Sequence, residues 1–181
     1  MDRLPPEPPA SLQVVVMGVS GCGKTTLSRA LGQALGLDVV DGDDLHLPQS
    51  VAKMRAGQPL QDEDRWPWLD RIGQYLARGR PDAASQGRVV ACSALKRAYR
   101  DRSLAPRVCF LFLDGDAGLI LRRMQQRQGH YMQPGLLDSQ IRTLEHPQPD
   151  ETDVFRLDLS LPVDELVHQA RQALREASPV S

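Results

Sequence analysis

The sequence predicts a three-layer α/β fold on a parallel sheet, and three observations carry that prediction. Short apolar runs that read as buried strands alternate with helical segments along the chain. The first run, Leu12-Gln13-Val14-Val15-Val16-Met17, opens directly into Gly18-Val19-Ser20-Gly21-Cys22-Gly23-Lys24-Thr25, which fits G-x-x-x-x-G-K-[ST] at every fixed position. At 181 residues the chain suits one compact α/β domain and leaves little room for two.

Each element has its own local reason. Residues 1–10 hold four of the fourteen prolines and are expected to form a disordered tail ahead of a single domain over 11–178. After the first strand, a helix runs from Lys24 to about Leu35 and stops at Gly36, a residue suited to the left-handed position past a helix end. Leu37-Asp38-Val39-Val40 is a short second strand, closed by the acidic turn Asp41-Gly42-Asp43-Asp44. Residues 48–80 read as two or three helical pieces interrupted at Gly57 and Pro59. Arg88 to Cys92 forms a third strand, followed by a helical stretch from about Leu95. Val108 to Leu113 is the most continuous buried strand after the first. A helix then spans about Asp116 to Arg127, and a glycine- and proline-marked loop covers Gln128 to Gly135. A short helix from about Leu136 to Glu145, a last strand from Val154 to Ser160 and a helix begun at Pro162 complete the chain.

Composition narrows the function. Basic and acidic residues nearly cancel, at a formal net charge of -1, which argues against a general nucleic-acid binder. Cys22, Cys92 and Cys109 are far apart and have no ligand-like spacing with histidine, so neither a disulfide framework nor a zinc site is expected. Met1 to Pro9 is acidic and proline-rich, unlike a signal peptide, and no apolar stretch approaches a membrane span. The expected compartment is the cytoplasm.

The motif Gly18 to Thr25 is a phosphate-binding loop. Successive loop N–H groups and the N-terminus of the next helix converge on the β-phosphate of a nucleotide. A Cβ at the glycines would block the turn and the approach of phosphate. Lys24 neutralises the β- and γ-phosphate oxygens, and the Thr25 hydroxyl ligates Mg²⁺. The expected ATP-binding set is Gly18, Ser20, Gly21, Cys22, Gly23, Lys24, Thr25 and Thr26, with Cys22 a neutral filler.

Parallel sheets bind ligands beyond the carboxyl ends of their strands, where Asp41 and Asp43 emerge two residues apart. Crowding Asp41, Asp43 and Asp44 is electrostatically unfavourable unless a cation or polar ligand joins them, although Asp-Gly is also a common solvated turn. Phosphoryl transfer needs one carboxylate in the metal shell and another to orient the substrate hydroxyl and accept its proton. Asp41 is assigned to the first role and Asp43 to the second, with the reverse assignment open.

Three further runs resemble the small P-loop gluconokinases. They are Asp41-Gly42-Asp43-Asp44-Leu45-His46; Lys53-Met54 through Gly57, Pro59-Leu60, Asp62, Asp64-Arg65 and Pro67-Trp68-Leu69; and Cys92-Ser93-Ala94-Leu95-Lys96-Arg97 with Tyr99-Arg100-Asp101. Arg127 to Met132 and Leu136 to Glu145 are similar to the same family, so the resemblance covers about Val14 to Asp158. It implies a nucleoside-monophosphate-kinase-like fold related to shikimate kinase, with sheet order 2-3-1-4-5. It also implies ATP:D-gluconate 6-phosphotransferase activity in a homodimer, with a substrate-binding helical segment at about 45–80 and a lid at about 127–136.

The residue chemistry suits a sugar acid. Its carboxylate calls for cations, and His46, Lys53, Arg65, Lys96 and Arg97 lie in the right segments, with Ser93 beside them. Arg65 is fitted to a two-pronged grip on the carboxylate that lysine cannot copy. His46 and His130 read equally as ligand contacts or polar surface residues, whereas Trp68 with Leu69 and Ile72 reads as packing. Arg123 and Arg127 share one helix face leading into the lid and resemble the arginines that clamp the transferring phosphoryl group, with Arg122 as solvated surface. Two rivals stand beside this reading: a kinase of the same fold acting on another acidic metabolite such as shikimate, and a nucleotide-binding regulatory module without phosphotransfer.

Overall fold

A computed structural model describes residues 11–79, 82–102, 108–126 and 134–177. Five parallel strands, β1 (Leu12–Met17), β2 (Leu37–Asp41), β3 (Gly87–Ala91), β4 (Val108–Asp114) and β5 (Val154–Asp158), pair in the order β2-β3-β1-β4-β5. Helices α1 (Lys24–Leu35), α2 (Pro48–Arg55), α3 (Asp62–Ala77), α4 (Arg97–Arg102), α5 (Ala117–Gln126), α6 (Pro134–Thr143) and α7 (Val163–Ala177) connect and cover them.

Both faces of the sheet are buried, so the inner stretches of its central strands, residues 14–17, 89–91 and 108–113, are apolar. Val14 and Val16 of β1 join Leu27, Leu31, Leu111 and Leu174 on the face covered by α1 and α7. Val15 and Met17 point the other way, joining Trp68, Leu69, Ile72 and Phe110 beneath α3. Cys22, Cys92 and Cys109 are buried free thiols, and burial pushes Cys92 and Cys109 up to about 12.

Several boundaries differ from the sequence expectation, and hydrogen bonds at the element ends mark three of them. The last strand stops at Asp158 because its carboxylate accepts the Ser160 N–H (2.9 Å) and its carbonyl the Leu161 N–H, turning the chain. Pro162 does not begin α7 but precedes it, offering its carbonyl to Leu166 N–H (3.0 Å). α6 begins at Pro134 and ends at Thr143 rather than Glu145, whose N–H is drawn off to the Leu95 carbonyl (2.9 Å). The expected tail at 1–10 and most of the expected lid, including Arg127 and His130, lie outside the described residues.

Candidate active site

The carboxyl ends of β1, β2 and β3 feed one crevice. The loop after β1 holds Gly21 and Gly23 at φ +79° and +105°, a region that disfavours any side chain. Gly21 is also a close approach: an added Cβ would lie 2.5 Å from Met124 Cγ on α5. Lys24, the first residue of α1, donates from Nζ to the Val19 carbonyl across the loop (3.0 Å). The Cys22 side chain is buried in the core, which leaves only its backbone for a ligand.

Thr25 and Asp41 meet here. The Thr25 hydroxyl donates to Asp41 Oδ2 (3.3 Å), and Asp41 Oδ1 accepts the Asp43 N–H (3.0 Å), capping a short 3-10 turn over Gly42–Leu45. A hydroxyl and a carboxylate beside a phosphate loop are the hard oxygen donors that suit Mg²⁺, which keeps waters and phosphate oxygens as its other ligands. Asp43 opens onto the crevice, its side chain 88% exposed. Desolvation by the surrounding protein, then the neighbouring Asp41 carboxylate, push its carboxyl above the ordinary value, against the pull of His46 and Lys24.

His46 is not a surface residue. Its ring stacks on Trp68 (centroids 4.3 Å apart, planes at 11°), and its side chain is 5% exposed. Burial pushes the imidazole below its ordinary value, so it is neutral near pH 7, with Nε2 3.9 Å from Asp43 Oδ1. Trp68 in turn donates from Nε1 to the Gly42 carbonyl (2.7 Å), fixing the acidic turn to α3.

The cations separate by partner. Lys53 Nζ binds Asp64 Oδ1 (2.6 Å), while Asp64 Oδ2 accepts the Gln61 N–H at the start of α3. Lys96 binds both oxygens of Asp62 (3.0 and 2.9 Å), and the Tyr99 hydroxyl donates to the same carboxylate (2.5 Å). Hydrogen bonds from Tyr99, then Lys96, hold the Asp62 carboxyl below its ordinary value. Arg97 was expected in the crevice but is held in a two-pronged bond to Asp150 (3.1 and 2.7 Å) with Asp101 beside it, because α4 turns that side chain toward the segment before β5. Arg65, half-buried with its guanidinium 5.8 Å from the Tyr99 ring centroid, is the one of these four without a carboxylate partner among the described residues. The Ser93 carbonyl accepts the Gly18 N–H (3.3 Å), bringing the third-strand turn against the phosphate loop.

On the other side of the loop, a cleft of about 380 Å³ is lined by Gly21, Gly23, Thr26, Arg123, Gln126 and Pro162, among others. Arg123 does reach this cleft, but its Nη1 is anchored to the Leu159 carbonyl (2.7 Å). Sequence reasoning missed Gln126 and Pro162 here, and also Asp62 and Asp64 as partners of the lysines. The C-terminal end of the fifth strand was the available signal for Pro162; the ion pairs had none, since Lys96 and Asp62 are 34 positions apart.

A family model described as an AAA domain matches residues 14–147. The thermosensitive gluconokinase of Escherichia coli strain K12 is 44% identical over 164 residues, covering 88% of this chain and 86% of that protein. The crystal structure of a gluconokinase from Sinorhizobium meliloti 1021 superposes with a TM-score of 0.80 at 41% identity, covering 94% of this chain and 95% of that one. Shikimate kinase from Aquifex aeolicus shares the fold alone, with a TM-score of 0.56 at 14% identity.

Proposed function

The chain belongs to the gluconokinase family of P-loop kinases, and from that premise we propose how its residues phosphorylate D-gluconate with ATP. The phosphate loop and Lys24 receive the β- and γ-phosphates, and the cleft beside Thr26 and Arg123 receives the rest of the nucleotide. Thr25 and Asp41 would hold Mg²⁺, which, when bound, neutralises charge on the β- and γ-oxygens. Asp43 orients the C6 hydroxyl of gluconate and takes its proton as O6 bonds to the γ-phosphorus and the bond to the ADP oxygen breaks. His46 carries no charge of its own into this step; stacked on Trp68, it walls the side of Asp43. A homodimer in the cytoplasm belongs to the same proposal and rests on the family resemblance.

The observation that carries the substrate is Arg65. Lys53, Lys96 and Arg97 each have a carboxylate of the protein, whereas Arg65 has none among the described residues, so its guanidinium is available to a carboxylate from outside. A neutral sugar would leave that cation unpaired in a closed site, which disfavours glucose against gluconate by at least about 10²-fold. Ser93 and Lys96, at the turn after β3, line the hydroxyl chain in this reading.

The test is a coupled ADP-release assay of D-gluconate, shikimate, glucose and glycerate at equal concentration, with the product identified. Gluconate phosphorylated at C6, and the others slowly or not at all, is the expected result. Equal turnover of shikimate or glucose would remove the sugar-acid reading, and nucleotide binding without turnover of any acid would leave the regulatory module.

A further inference from the structure

The C-terminal turn of α6 and the residues just after it bond to two separate loops of the crevice. Gln140 of that turn meets Ser20 of the phosphate loop, 120 positions away, at two points: the Ser20 N–H donates to Gln140 Oε1 (2.6 Å), and Gln140 Nε2 donates to Ser20 Oγ (2.9 Å). A backbone N–H can only donate, which fixes the orientation of the amide and leaves Nε2 to the hydroxyl. Two residues past the same C-terminal end of α6, the Glu145 N–H donates to the Leu95 carbonyl (2.9 Å) and Glu145 Oε2 accepts the Arg97 N–H (2.8 Å).

The turn that α6 reaches there is itself rigidly held. Arg100, buried and paired with Glu151 (2.6 and 3.1 Å), donates to the carbonyls of Ala94, Leu95 and Glu145. Ala94 sits at φ +43°, an unfavourable angle for a residue with a Cβ, so the turn depends on those bonds to keep its shape. The Ser93 carbonyl then returns to the phosphate loop through the Gly18 N–H (3.3 Å). Phosphate loop, α6 and the turn carrying Lys96 therefore form a closed circuit.

Resting on the kinase reading above, we propose that Gln140 is a positioning residue. Acting through Ser20, it holds the phosphate loop in the shape that receives ATP and keeps it in register with the Lys96 turn. Ser20 lies between Gly18 and Gly21, where the backbone has most freedom to lose, so a two-point tether lowers the ordering cost that nucleotide binding must otherwise meet. No local pattern marks Gln140 for this role.

The experiment compares the wild type, Gln140→Ala, Gln140→Glu, Ser20→Ala and the Ser20→Ala/Gln140→Ala double variant. Four quantities are read: ADP affinity, kinetics with ATP and gluconate, Tm, and amide hydrogen exchange at Ser20. Gln140→Ala should raise the ADP Kd and the ATP KM roughly 5- to 30-fold, the scale of losing two neutral hydrogen bonds, and speed exchange at Ser20. In the Ser20→Ala background the same change should cost less, because one of the two bonds is already gone. Gln140→Glu keeps an acceptor for the Ser20 N–H and should restore slow exchange there. Nucleotide affinity within about two-fold of wild type in Gln140→Ala would overturn the proposal, as would strictly additive effects in the double variant. A change confined to Tm, or fast exchange at Ser20 in Gln140→Glu, would reduce the contact to helix anchoring. A wild type that ignores gluconate would remove the kinase reading instead, while ADP affinity and exchange still judge the clamp.

Discussion

In the proposed site, the working groups at the phosphate end of the crevice are largely backbone, and at the acid end they are side chains. Gly21 and Gly23 are held at positive φ so that loop N–H groups converge, and Lys24, Thr25 and Asp41 add side-chain atoms beside them. At the acid end, Lys53 and Lys96 from two different segments meet Asp64 and Asp62 at the start of α3, and Arg65 lies near both carboxylates but forms no ion pair among the described residues. The difference teaches how each end tolerates change. A backbone-made site fails when the chain cannot adopt its angles, whereas a side-chain site fails one partner at a time and leaves the other partner's charge behind.

Three substitutions probe that contrast, beginning where the loss should be greatest. Asp43→Asn, beside the phosphate end, keeps the shape but cannot take a proton. Turnover with gluconate should fall by roughly 10²- to 10⁴-fold while ADP affinity stays within a few fold. Near-normal turnover would hand the hydroxyl role to Asp41, the assignment left open by the sequence. At the acid end, Arg65→Ala should raise the gluconate KM by about 10- to 100-fold, the loss of a charge-assisted contact, with ATP KM unchanged. An equal rise in both Michaelis constants would show that Arg65 supports the fold rather than the substrate. Arg97→Ala should do least, changing kcat and both KM values by no more than about two- to three-fold, since its exposed pairs with Asp150 and Asp101 are screened by water. A gluconate KM that moved as far as in Arg65→Ala would put Arg97 back in the crevice and erase the distinction between the two arginines.

Arg97 and Arg100 also mark the limit of reading this chain as a string. They are three positions apart in the same short helix, yet one is spread over surface carboxylates and the other is buried against Glu151 and three carbonyls. Nothing local distinguishes them, because burial depends on what packs against the helix from the segment before β5. His46 shows the same thing: an acidic turn suggested either surface or ligand, and the stack on Trp68 that settles its burial joins residues 22 positions apart. Strand alternation, by contrast, was legible because a two-sided parallel sheet demands unbroken apolar runs.

By itself the sequence determined the strand–loop–helix that receives phosphate, the order of strands and helices, and the acidic turn at the end of β2. Each is set by angles or periodicities of neighbouring residues, which the chain carries wherever it goes. Tertiary structure alone decided which cations are already paired, that Arg65 forms no ion pair among the described residues, and that Gln140 closes on Ser20. Those contacts join side chains tens of positions apart, and their partners are chosen by packing, which no local pattern contains.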